Sequence, residues 1–95
     1  MANNLFISYE LNQSEQDNGR VTDAIQGLGR TMKLHKSLWY VNGNFSSEDA
    51  ASKVRESMNS DDTLIVIDAT SNTASCYNLS EDAAAFLEKY GMVTY

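Results

Sequence analysis

The chain's 95 residues are enough for one hydrophobic core but not for a catalytic domain joined to a separate binding domain, so a single domain over residues 1–95 is expected. Thirteen acidic residues against seven basic give a net charge of −6, a field that repels a phosphate backbone and disfavours generic nucleic-acid binding. No apolar run approaches the roughly eighteen residues of a membrane-spanning helix, Met1-Ala2-Asn3-Asn4 lacks a basic leader, and the lone Cys76 permits neither an internal disulfide nor a cysteine zinc site; a cytoplasmic protein is expected.

Residues 4–11 are rich in β-branched and aromatic side chains and read as a first strand, with Leu5, Ile7 and Tyr9 on one face and Phe6, Ser8 and Glu10 on the other. A polar loop follows over 12–19, in which Ser14 can cap a helix with Asp17 three residues on. Val21, Ala24, Ile25 and Leu28 then recur at helical spacing, and Gly29 closes the stripe as a C-cap. Residues 33–41 alternate and end in Trp39, Tyr40 and Val41, which predicts one second strand with Leu34, Leu38 and Tyr40 on one side. Ser46 is a good N-cap for a second helix whose buried face is Ala50, Ala51, Val54 and Met58.

Residues 64–67 are apolar on both parities, the pattern of a central strand covered on both faces, and Asp68 closes it. Residues 71–78 read as a polar connection, Ser80 as the cap of a third helix ending at Gly91, and 92–95 as a short strand or tail. The expected fold is therefore α/β (α+β): a β-α-β-α-β sheet, with helices on one face and an extra C-terminal helix. Right-handed crossovers would make the first and third strands parallel neighbours, placing Glu10 and Asp68 side by side at one sheet edge.

That pair carries the sharpest chemical reading. Two adjacent carboxylates can hold Mg²⁺, which takes oxygen ligands and keeps several waters, and would suit phosphodiester hydrolysis. The same residues also read as turn-formers at strand ends. Arg20, Arg30, Lys33, His35 and Lys36 form a local basic stretch within the acidic chain. Lys33, His35, Lys36 and Trp39 could bind a small nucleotide or other ligand, with His35 a base near neutral pH. As a solvated strand start and an exposed histidine they need no ligand at all. Tyr9, Trp39 and Tyr40 can stack on a base or fill a core.

Leu5-Phe6-Ile7-Ser8-Tyr9-Glu10-Leu11, the helix to Leu28-Gly29, Ser37-Leu38-Trp39-Tyr40-Val41 and Asp62-Thr63-Leu64-Ile65-Val66-Ile67 resemble the ferredoxin-like domain shared by the small nuclease-like subunit of CRISPR adaptation and the VapD toxin ribonucleases, over about residues 4–70. The stretch Ser-Leu-Trp-Tyr-Val with Asp-Ala-Thr is also similar to small SinR-like bacterial and phage proteins. The first resemblance implies a ferredoxin-like core, a homodimer, and a metal ligand at the end of the first strand, the position of Glu10 here. The family has aspartate there, one methylene shorter, and a last strand where this chain has an acidic helix over the 71–95 extension. Three functions are weighed: from the charge, an acidic binding or inhibitory module, phage- or mobile-element-encoded, acting on a protein partner; from the resemblance, a metal-dependent endonuclease or endoribonuclease; and a dimer that sequesters a small nucleotide in a cleft lined by Lys33, His35 and Lys36.

Overall fold

The computed structural model describes residues 2–11 and 16–95, so the expected Ser14 cap lies outside the described residues. Nine elements follow one another along the chain: β1 (Asn3–Glu10), α1 (Gln16–Gln26), β2 (Arg30–His35), β3 (Leu38–Gly43), α2 (Ser47–Arg55), β4 (Thr63–Asp68), β5 (Thr73–Tyr77), α3 (Glu81–Lys89) and β6 (Val93–Thr94). The strands form one six-stranded sheet in the order β2-β3-β1-β4-β5-β6, antiparallel throughout except for the last pair. The fold is thus mixed α+β.

Directly opposed residues of an antiparallel pair share a face, so the register sorts the side chains. Leu5, Ile7, Val41, Trp39, Leu64 and Val66 lie on one face, buried beneath Val21, Ile25 and Leu28 of the α1 segment and Ala50, Ala51 and Val54 of α2. Each large aliphatic buried there contributes roughly 1.5–3 kcal/mol relative to exposure. The opposite face carries Phe6, Tyr40, Leu38, Ile65 and Ile67, all half-buried, with Met32 of β2 opposite Tyr40 and 65% exposed. We call these the helical face and the open face. Residues 64–67 are therefore central as expected but covered on one side only.

Local signals behave as the sequence suggests at both later helix starts. Ser46 and Ser80 are N-caps whose Oγ atoms accept from the backbone N–H groups of Asp49 and Ala83, each at 3.1 Å. Gly29 has a positive φ of 155°, and its missing side chain lets the start of β2 run against the end of β3; a Cβ on Gly29 would overlap the Asn42 carbonyl, and one on Gly43 the Leu28 carbonyl.

Three expectations are corrected. The stretch read as one strand over 33–41 is a hairpin, turning at Lys36-Ser37 with a register shift between Lys33 and His35. The stretch read as a polar connection over 71–78 contains β5, a strand of the same sheet. Finally, the extra reversal at Lys36-Ser37 inverts every strand after it, so β1 and β4 are neighbours but antiparallel.

The β5-α3-β6 unit is a parallel crossover, and right-handedness lays α3 over the open face at its β5–β6 end. Ala74, on that face opposite Ile67, is fully buried accordingly. None of α3's residues is itself buried, and Phe86 and Tyr90 stack on each other in solvent at 5.1 Å.

Candidate functional site

The antiparallel register separates the carboxylate pair. Leu5 lies opposite Asp68, and Glu10 lies opposite Thr63 at the other end of the same two strands. Five residues of extended chain put them about 17 Å apart. They also point to opposite faces, since Asp68 shares the helical face with Leu5 whereas Glu10 has the parity of Phe6 and Ser8. One chain therefore does not build the ion site expected from Glu10 and Asp68, and among the described residues no three His, Cys, Asp or Glu side chains cluster as a metal site.

Asp68 has a different task. It is buried, with Oδ1 accepting from the Thr70 N–H at 2.9 Å and Oδ2 from the Ser71 hydroxyl at 2.9 Å. This closes the β4–β5 turn, in which Asn72 takes a positive φ of 61°. The hydroxyls continue inward: Ser71 meets Thr73 at 3.1 Å, Thr73 meets Ser47 at 2.9 Å, and buried Ser47 lies 3.4 Å from buried Ser75. This network ties the first turn of α2 to β5. Glu10 stands exposed at the end of β1.

The four expected ligand-binding residues are not gathered in one place. Trp39 is buried on the helical face and belongs to the core, with its indole Nε1 unpartnered among the described residues. Lys33, opposite Trp39, is exposed on the same side of the edge strand. His35 lies opposite Leu38, on the open face, and Lys36 is in the turn. Tyr9 is likewise core, whereas Tyr40 is on the open face.

The residues that come together instead are Phe6 and Tyr40, neighbours on β1 and β3, with ring centroids 5.4 Å apart and planes tilted by 56°. The Tyr40 hydroxyl donates to Asn4 Oδ1 at 2.6 Å, and the Asn42 amide reaches both Asn4 Oδ1 and the Tyr40 oxygen at 3.4 Å. This hydrogen bond ties the Tyr40 side chain to the neighbouring strand while the residue stays partly exposed. The sequence places Phe6 on the second face of the first strand with Ser8 and Glu10, and the β1–β3 register is what sets it beside Tyr40.

A shallow cavity of about 170 Å³ lies elsewhere, lined by Glu48, Ser75, Cys76, Tyr77 and Tyr95. Burial pushes the Cys76 thiol above its ordinary value, which makes it a poorer nucleophile at neutral pH. Comparison with protein-family models, with curated proteins and with solved structures found no match. No helix among the described residues is long and apolar enough to cross a membrane.

Proposed function

We propose that this chain is a small acidic binding module acting on a protein partner with a basic contact surface. The observation that carries the reading is the segregation of charge. Residues 24–47 hold three cations, Arg30, Lys33 and Lys36, and no carboxylate; the rest of the chain holds thirteen carboxylates and four cations, a net of −9. A field of that size speeds encounter with a positive surface. Glu48, Asp49 and Glu56 on and after α2, and Glu81, Asp82 and Glu88 on α3, are exposed and available for such contacts.

The test is capture of a partner by the immobilised protein at low and high salt, beside a variant carrying Glu56→Gln, Glu81→Gln and Glu88→Gln. A partner held in this way is released by salt and bound more slowly by the variant. Absence of any salt-sensitive partner overturns the reading.

The element order β1-α1-β2-β3-α2-β4 with strand order β4-β1-β3-β2 supports the finer ferredoxin-like assignment of the core. One observation favours the nuclease alternative: Glu10 is exposed at the exit of a central strand, where the resemblance puts a metal ligand. Its fellow ligand would have to come from a second copy, since Asp68 is committed to its turn. Cleavage of labelled RNA or DNA with Mg²⁺ or Mn²⁺, lost in Glu10→Gln and kept in Asp68→Asn, would establish that alternative in place of the binding module.

A further inference from the structure

We infer that the open face of the sheet is a binding platform for single-stranded nucleic acid, on which Phe6 and Tyr40 stack bases and the β2 edge supplies cations to the backbone. The inference does not rest on the acidic-module reading: it uses the open face and its β2 edge, where Arg30 and Lys36 belong to a stretch, residues 24–47, that holds no carboxylate.

Aromatic rings on the two central strands of an open antiparallel sheet are the arrangement by which four-stranded RNA-binding sheets take up two or three bases. Stacking needs an accessible π-face on a support that does not move. Phe6 and Tyr40 are partly exposed rings on such a support: they are paired across β1 and β3, and Tyr40 is tethered through its hydroxyl to Asn4. The flanking floor is apolar, with Met32 and Leu38 on one side and Ile65 and Ile67 on the other.

Charge decides between a base-stacking ligand and an apolar protein surface. Arg30 lies on this face at the β2 edge, opposite Asn42, with His35 on the same face opposite Leu38 and Lys36 in the adjoining turn. By strand spacing Arg30 and His35, each displaced two residues along the sheet from Tyr40, lie about 8 Å from it, and Lys36 lies farther off at the turn. Glu10, four residues along β1 from Phe6 and about 13 Å from it, is a carboxylate of this face beside the Lys36-Ser37 turn. The acidic end of the face is at α3, beyond β5, so the polyanion is expected along the β2 side.

Binding of fluorescent oligouridylate and oligothymidylate, followed by anisotropy, tests the assignment; the two arms distinguish RNA from DNA. Both should bind better than a duplex, with a log–log salt slope near −1.4 if Arg30 and Lys36 each release counterions at about 0.7 per phosphate. Phe6→Leu and Tyr40→Leu keep apolar area and remove the π-face, and each should weaken binding by roughly 5- to 150-fold in a protein that still folds. Amide shifts in the unaltered protein should map to β1, β2 and β3. The inference is overturned by no binding at about 0.1 mM, where weak sequence-independent binding is already populated. It is equally overturned by shifts confined to α1 and α2, by leucine variants that are folded and bind as tightly as the parent, or by a self-associating face that oligonucleotide does not compete for.

Discussion

Replacing Asp68 separates its two readings, as a metal ligand and as the closure of the β4–β5 turn. Its carboxylate accepts two hydrogen bonds while almost entirely buried, one from the Thr70 backbone and one from the Ser71 hydroxyl. Hydrogen bonds to a charged acceptor contribute about 1.5–3 kcal/mol each, and orphaning a buried donor carries its own cost. Asp68→Ala should therefore destabilise by about 3–5 kcal/mol. Asp68→Asn retains an oxygen for the Thr70 N–H, and the Ser71 hydroxyl can reverse to accept from the new amide, so its loss should be nearer 1 kcal/mol. For a domain of this size 1 kcal/mol moves the thermal midpoint by about 4–8 °C, which spaces the three proteins well apart in a melting series, and urea titration gives the free energies directly. Magnesium supplies the counter-test. A ligand at a hundred times its dissociation constant stabilises by about 2.7 kcal/mol. Were Asp68 a metal ligand, Mg²⁺ would stabilise the parent and not Asp68→Asn; that result, or an Asp68→Ala protein as stable as the parent, would refute the turn assignment.

Other substitutions probe the backbone and the exposed groups. Gly43→Ala should cost about 1–3 kcal/mol, because its Cβ meets the fixed Leu28 carbonyl, whereas Gly19→Ala, inside α1 with open space around it, should stabilise by about 0.5–1 kcal/mol; urea midpoints check both, and equal effects would refute the close-approach argument. Glu10→Gln, at an exposed strand end, should leave the urea midpoint within about 0.5 kcal/mol of the parent. The raised Cys76 thiol means that the folded chain holds this proton more tightly than the unfolded chain does. Its contribution to stability is present below the unfolded value of about 8.5 and is lost as pH rises through the higher folded value. Iodoacetamide should accordingly alkylate the native protein more slowly than the urea-unfolded one at mildly alkaline pH, and equal rates would contradict the burial.

Most elements are legible because their local chemistry and their tertiary role agree. The period-3.6 stripe of Val21, Ile25 and Leu28 is the buried face of α1 and the turn that follows it, and both serine caps do what their sequence context suggests. The hairpin at Lys36-Ser37 is hidden by the lack of a glycine or asparagine turn and by Leu34, Leu38 and Tyr40 sharing one parity across it. That omission governed the candidate site. One missed reversal turned an antiparallel pair into a parallel one and brought Glu10 beside Asp68, when the real register sends them to opposite ends and faces. β5 was hidden for a related reason: Thr73, Ser75 and Asn78 look like loop residues, yet Ser75 faces Ser47 through hydroxyls and so can sit buried in a sheet.

The two edges of the sheet bear on what the open face can meet. At one end β6 has only two residues, and at the other β2 carries Arg30, Lys33 and, just beyond it, Lys36, so two copies joining edge to edge through β2 would oppose like charges. Both edges are therefore poor templates for strand addition by another copy. The cations that guard β2 against that pairing are the same ones that border Phe6 and Tyr40. Replacing Arg30 and Lys36 with glutamine separates the two roles: it should leave the stacking rings in place, flatten the salt dependence of oligonucleotide binding by about 1.4 units at 0.7 per cation, and promote concentration-dependent association at the relieved edge. A salt slope unchanged in that variant would mean that the β2 cations serve the edge alone.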